Sequence, residues 1–163
     1  DDMYSFASTD VATMQTGYKC VKYSNMLSDG TKGNESGPGS VDTDYPLFRS
    51  ADAYLMYAEC AKRGAGDAAK GLEAFNAIRQ RSGLETVSTY SLDGLLDERA
   101  RELYWECTRR TDLIRFGKFI SGYNWQWKGG VKEGVDAEAH RVIMPIPASE
   151  LNANGNLKQN AGY

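Results

Sequence analysis

Histidine is nearly absent from this chain. His140 is the single one in 163 residues, so a Ser-His-Asp relay or a histidine-rich metal centre has almost nothing to be built from. Its place at the end of a polar loop predicts solvent exposure. The cysteines Cys20, Cys60 and Cys107 are odd in number and form no CxxC or CxxH pair, which argues against a zinc site. Neither G-x-x-x-x-G-K-[S/T] nor G-x-G-x-x-G occurs, so both phosphate-cradling loops are missing. Basic charge is short as well: 19 Lys and Arg face 22 Asp and Glu, a net charge of -3, without the broad basic face that a nucleic-acid partner requires. No apolar run approaches the roughly 18 residues of a membrane span. The chain begins Asp1-Asp2-Met3 with no charged-then-apolar secretion signal, and reads as either a cytoplasmic protein or a mature product or fragment.

What is present suits a globular domain. Hydrophobic residues make up 41% and charged residues 25%, ordinary for a soluble chain of one domain's length. Residues 1–44 are polar and irregular, with a strand-like alternation at 17–23. The stretch 28–40 holds four glycines and one proline and no large apolar residue, so it reads as a surface loop. Helical character begins after Pro46. A first helix over 49–62 places Ala51, Leu55, Ala58 and Lys62 on one stripe. Gly64-Ala65-Gly66 breaks it, and Asp67 caps a second helix over 68–81 with Leu72, Phe75 and Ile78 along it. The pair is close in size to the ~34-residue tetratricopeptide unit. A lone unit cannot bury its own face, which predicts an uncovered apolar surface and either self-association or attachment to a preceding part of the same protein. A third helix starts at Ser91 and runs to about 108, and a fourth covers 112–119. Cys60 and Cys107, inside these helical patterns, read as core filler. Residues 121–141 form a Gly- and aromatic-rich loop, 142–147 an extended run between prolines, and a last helical turn opens at Pro147 or Ser149.

Three clusters could carry chemistry. Asp97, Glu98, Arg99, Arg101, Glu102, Glu106, Arg109, Arg110, Asp112 and Arg115 put carboxylates and guanidiniums at i+3 and i+4. They read as an ion-pair lattice bracing the third helix against the helix after it. The opposed reading is a glycosidase carboxylate pair, which requires two acids facing each other across an open cleft. Asp29, Glu35, Asp42 and Asp44 offer oxygen ligands to a hard cation, but miss the EF-hand spacing. In 122–130, Tyr123, Trp125 and Trp127 alternate with Asn124 and Gln126. On an extended segment this sets rings on one side and amides on the other, suited to the C–H faces and hydroxyls of sugars. The competing reading folds the two tryptophans back as a lid over the helical core.

Taken in order, the motifs resemble the SusD/RagB family of outer-membrane glycan-binding lipoproteins. The segment 45–59, YPLFRSADAYLMYAE, is similar to that family's P-x-x-R-x-A-D-x-x-L-M-x-A-E helix, and 76–83, NAIRQRSG, to its N-x-V-R-x-R-A-G helix end. Glu98-Arg99, Glu102-Leu103, Glu106, Arg109 and Asp112-Leu113-Ile114-Arg115 match its E-R-x-x-E-L-x-x-E-x-x-R-x-x-D-L-x-R. The end of the chain, with Pro145-Ile146-Pro147, Glu150, Asn154 and Gln159-Asn160-Ala161-Gly162-Tyr163, matches the terminal P-I-P…Q-N-x-G-Y. Two departures stand out: Cys60 replaces a small residue, and Cys107 stands where glycine is frequent.

The resemblance implies a mainly α fold, the C-terminal part of a SusD-like α-α superhelix of tetratricopeptide-like helix pairs with long irregular loops. It implies a C-terminal helical domain over 45–163, with 1–44 as a loop-rich segment of the same domain. It also implies non-catalytic binding of oligosaccharide or polysaccharide nutrients at the surface of the outer membrane. Expected partners are the glycan, a SusC-like TonB-dependent transporter that receives it, and the missing N-terminal part of the same protein. Attachment to the membrane is expected only through a lipid anchor outside this chain. No enzyme activity, cofactor or metal is implied. The motifs are fold signatures and assign no binding residue, so the candidate glycan contacts are Tyr123, Asn124, Trp125, Gln126 and Trp127. A helical-repeat adaptor for a protein or peptide partner is the alternative.

Overall fold

The computed structural model describes residues 17, 20, 22–35, 37 and 39–163. Among them are five α-helices: α1 (Ser50–Lys62), α2 (Ala68–Arg81), α3 (Leu92–Glu102), α4 (Arg109–Arg115) and α5 (Ala148–Ala153). Two 3-10 turns occupy Lys128–Gly130 and Ala139–Val142, and the described residues show isolated bridges but no strand. Of the alternating stretch 17–23, residues 18, 19 and 21 lie outside the described residues, and Lys22 and Tyr23 sit in a turn. The chain divides into two compact units, Asp1–Arg109 and Arg110–Tyr163.

In the first unit α1 packs against α2 and α3. Ala51, Leu55, Ala58 and Ala61 are buried on α1, facing Ala74, Phe75 and Ile78 of α2 and Leu95 and Leu96 of α3. Lys62, placed on the same stripe by spacing, is exposed, with its ammonium 5.3 Å from the Tyr90 ring centroid. Asp67 caps α2 by accepting from the N–H groups of Ala69 (2.8 Å) and Lys70 (3.0 Å), and these bonds hold its carboxyl below the usual range. Ser91 caps α3 by accepting from Gly94 N–H.

The loop after α2 closes the open side of the helix pair. Tyr90 stacks on Phe75 with centroids 4.5 Å apart and donates its hydroxyl to the Ala58 carbonyl at 2.8 Å. Asn76 grips the same loop with both ends of its amide, donating to Val87 O and accepting from Val87 N–H, each at 2.9 Å. The helices meet at Gly71, where an added Cβ would stand 2.4 Å from Ala61 Cβ and 3.1 Å from the Tyr90 hydroxyl. Alanine gains about 1 kcal/mol over glycine in helix propensity, yet the overpacking penalty runs to about 1–3 kcal/mol. Gly71→Ala is therefore expected to lower stability by about 1 kcal/mol in chemical denaturation, and a stabilised variant would contradict the close approach.

The outer face of α1 is the exception to good packing. Ala53, Met56, Tyr57 and Cys60 are exposed along it, and Leu47 and Phe48 just ahead of the helix are 82% and 91% exposed. At about 100° per residue this stripe lies opposite Ala51 and Leu55, so Cys60 points away from the core that its spacing suggested. Cys107 is likewise exposed. It sits in a turn, because α3 ends at Glu102 rather than continuing to 108. Trp105 (φ 65°) and Cys107 (φ 59°) both adopt the left-handed conformation, which no α-helix can pass through. Correspondingly α4 begins at Arg109 and ends at Arg115, earlier than the spacing indicated.

In the second unit, Arg110 donates to the carbonyls of Arg141 (2.7 Å) and Val142 (3.2 Å) and lies over the Phe119 ring. Val142 closes the second 3-10 turn, and from Ile143 the chain runs extended to Pro147, the N-cap of α5. Ile143, Met144 and Ile146 are held there by side chains from the C-terminal segment.

Candidate functional site

The aromatic loop lies wholly in the second unit. Residues 123–125 run without regular structure and 126–127 form a turn. Within the loop the rings of Tyr123 and Trp125 meet, with centroids 6.1 Å apart and planes inclined by 55°. Trp125 is 42% exposed and Tyr123 half-buried. Trp127 does not join them along the same strand-like edge. Its backbone is left-handed (φ 69°), so the chain has already turned at the position where alternation would have repeated. Asn124 is exposed, and its amide nitrogen donates to Glu133 O at 3.2 Å, joining the two limbs of the loop. Gly134 (φ 73°) permits that approach, because a Cβ there would stand 2.2 Å from Trp125 O. Gln126 is exposed at the turn.

Below this loop lies a residue the spacing did not single out. Lys128 is only 4% exposed. Its ammonium donates to Tyr123 O at 2.8 Å and Ile120 O at 3.2 Å, lies 5.0 Å from the Trp125 ring centroid, and stands 3.8 Å from Asp136 Oδ1. A lysine in a Gly-rich loop ordinarily reads as solvated. The only hint was the following Gly129-Gly130 pair, whose positive φ values of 72° and 79° let the chain fold back over the side chain.

The charged cluster on α3 is an ion-pair lattice; Arg109, at the start of α4, donates to Leu96 O of α3 at 2.9 Å, and the ion pairs also run the other way. They tie α3 to the two helices before it. Glu98 receives Arg79 of α2 (3.2 Å) and Arg101 (2.7 Å), and Arg99 pairs with Asp52 of α1 at 2.8 Å. Glu102 receives Arg49, immediately before α1, at 2.8 Å, together with Arg81 of α2. Glu106 receives Arg49 (2.8 Å) and Lys22 (2.6 Å). Burial raises the Glu106 carboxyl, but bonds from Arg49 and Lys22 outweigh it and hold the group below its ordinary value. Two clefts flank these helices. One of about 500 Å³ is lined by Ala61, Lys62, Leu72 and Tyr90 among others, and one of about 300 Å³ by Arg49, Tyr54, Ile78 and Arg81 among others; no carboxylate lines either.

The remaining candidates are engaged locally. Asp29 Oδ1 accepts from Thr31 N–H and hydroxyl, and Asp42 Oδ2 accepts from Asn34 N–H. Among the described residues no group of three His, Cys, Asp or Glu could hold a metal ion, and no helix is long and apolar enough to cross a membrane. His140 is less exposed than its loop position implied, with a 22% accessible side chain set edge-on to Tyr163 at 4.6 Å.

The fold and these sites define a class: all-helical proteins in which a tetratricopeptide-like pair, locked by buried arginine–carboxylate bonds, is followed by long aromatic loops. Within that class a sequence model of the SusD family matches residues 5–163. The starch-binding protein SusD of Bacteroides thetaiotaomicron is 43% identical over 149 residues, covering 90% of this chain and 26% of that protein. A SusD-like protein of Formosa agariphila is 34% identical over 130 residues, 72% of this chain and 24% of its own length. Among solved structures, surface glycan-binding protein A from Bacteroides thetaiotaomicron, in complex with laminarihexaose, superposes with a TM-score of 0.64 at 29% identity, over 74% of this chain and 26% of that one. The chain belongs to the SusD family. It spans about a quarter of the length of these relatives.

Proposed function

We propose that this chain is part of a non-catalytic glycan-binding protein of the bacterial outer-membrane surface, lipid-anchored outside the segment described, which passes oligosaccharides to a SusC-like TonB-dependent transporter. In this reading 45–163 is the helical domain and 1–44 its loop-rich companion, a pairing supported by the bonds from Lys22 to Glu102 O and Glu106. The observation that carries the sugar reading is the Tyr123–Trp125 ring pair, Trp125 exposed and Tyr123 half-buried, flanked by the amides of Asn124 and Gln126. Inclined rings present apolar surface to the C–H faces of a pyranose chain, while the amides meet its hydroxyls. Family membership supports the same reading, since relatives are named for starch binding and surface glycan binding. Binding without hydrolysis is supported by Glu98, Glu102 and Glu106, each paired with a guanidinium instead of facing a partner acid across a cleft.

Affinity electrophoresis against a polysaccharide panel tests the reading. Retardation of the parent chain is expected on at least one glycan, and Trp125→Ala/Trp127→Ala is expected to abolish it while circular dichroism stays unchanged. Equal retardation of parent and variant would move the glycan site off this loop. One observation favours a second reading, a helical-repeat adaptor for a peptide: the exposed apolar stripe Ala53, Met56, Tyr57 and Cys60 on α1. Absence of retardation on every glycan would bring that reading forward.

A further inference from the structure

We propose that Lys128 is the positioning residue of the aromatic loop: its buried ammonium, held by the carbonyls of Ile120 and Tyr123 and set against the Trp125 ring, fixes the ring pair on which a sugar stacks. The part of this proposal that concerns sugar rests on the glycan reading above; the part that concerns the loop does not.

After Leu113, Lys128 is the one described residue that is fully buried, so the polypeptide from 114 onward has no apolar side chain in a comparable position. Burying an ammonium is costly unless its protons are satisfied. Lys128 has three of them. Two go to Tyr123 O and Ile120 O, and the remaining direction is shared by the Trp125 ring and the exposed carboxylate of Asp136. The backbone of the same residue adds two more ties, donating to Trp125 O at 3.1 Å and accepting from Val135 N–H at 3.0 Å. Residues 120, 123, 125, 135 and 136 thus converge on a single side chain and its own peptide groups.

Such a loop is ordered by a charge where a helix would be ordered by apolar packing. The carbonyls taken by the ammonium belong to Tyr123 itself and to Ile120, three residues before it, so the ammonium sets the direction of the segment that carries the rings. The cation also covers part of the Trp125 indole, and the exposed remainder is what stays open to a ligand. A platform fixed before binding loses less freedom when the ligand arrives.

The test uses the full chain labelled with 5-fluorotryptophan, with the Trp125 resonance assigned by Trp125→Phe, and with soluble starch and laminarihexaose as probes. Lys128→Met keeps the stem and removes the charge; Lys128→Arg keeps a cation. In Lys128→Met the Trp125 fluorine line is expected to shift and broaden, and affinity for whichever probe the parent binds to weaken about tenfold, while the thermal midpoint of the helices is retained. Lys128→Arg is expected to recover most of both. An unchanged fluorine line in Lys128→Met overturns the proposal, whatever the probes do. A shifted line with unchanged affinity, in a protein whose binding Trp125→Ala abolishes, also overturns the positioning role. If Trp125→Ala binds as the parent does, the loop is not the glycan site, and the fluorine line alone decides what Lys128 does. If Lys128→Met does not fold, Lys128→Gln, which retains a donor, replaces it under the same criteria.

Discussion

Arg49→Met is expected to destabilise the helical unit by about 3 kcal/mol, the low end of what breaking a buried ion pair costs, because Arg49 itself is partly exposed. The guanidinium donates to Glu102 Oε1 (2.8 Å), Glu106 Oε1 (2.8 Å), Glu106 Oε2 (2.8 Å) and the Glu102 carbonyl (3.1 Å). Methionine matches much of its length and none of its donors. Arg81 and Lys22 would remain on carboxylates whose side chains are only 5% and 7% exposed. Each would keep one partner and lose the one that ties it to the start of α1. Chemical denaturation at neutral pH reads the loss directly.

The same interaction sets an acid limb. Glu106 titrates in the folded chain below its ordinary value of 4.5. A depressed carboxyl contributes stability that is fully present above the unfolded value and is lost as pH falls through the folded one. The stability gap between the parent and Arg49→Met is therefore expected to narrow on acidification through that window. A gap that stays constant from neutral pH into strong acid would show that Arg49 acts by packing alone.

The helix pair was legible because two local signals agreed: apolar residues at helical spacing, and a Gly64-Ala65-Gly66 break followed by the Asp67 cap. The end of α3 was not. Leu103 and Tyr104 continue the apolar pattern, and the left-handed turn rests on Trp105 and Cys107, two residue types that carry no turn signal. The resemblance marked Cys107 as a place where glycine is frequent, and its positive φ supplies the physical reason. Spacing likewise identified which charges share a face of α3, but i+3 and i+4 relations are silent about what lies opposite. The ion pairs to Asp52, Arg79 and Arg81 of the preceding helices therefore come in addition to the expected tie to the following helix, which Arg109 makes to Leu96 O. In the loop, the rings of Tyr123 and Trp125 were legible from alternation. The turn at 126–127 and the burial of Lys128 depend on the positive-φ glycines and on contacts eight residues back, which a short sequence window does not contain.

The terminal motif is the remaining case, and its residues act as a strand partner made of side chains. Gln159 accepts from Ile146 N–H at 2.8 Å and donates to Ile146 O at 2.9 Å, as a neighbouring strand would, while its oxygen also accepts from Asn160 N–H. Asn160 donates to Met144 O and the Tyr163 hydroxyl to Ile143 O. Pro145 and Pro147 have no N–H to give, so the run 143–147 cannot enter a regular ladder and depends on these amides. Gly162 (φ 98°) brings the chain end onto His140, where a Cβ would stand 2.5 Å from the ring. Gln159→Ala strips both groups of Ile146 of their partners, at an expected local cost of about 2 kcal/mol. Exchange of the Ile146 amide hydrogen should accelerate by about thirtyfold, the same free energy expressed as a rate. The Val87 amide, bracketed in the same way by Asn76, is the internal control and should exchange at its parent rate. Unchanged exchange at Ile146 would mean that the prolines alone hold the run extended.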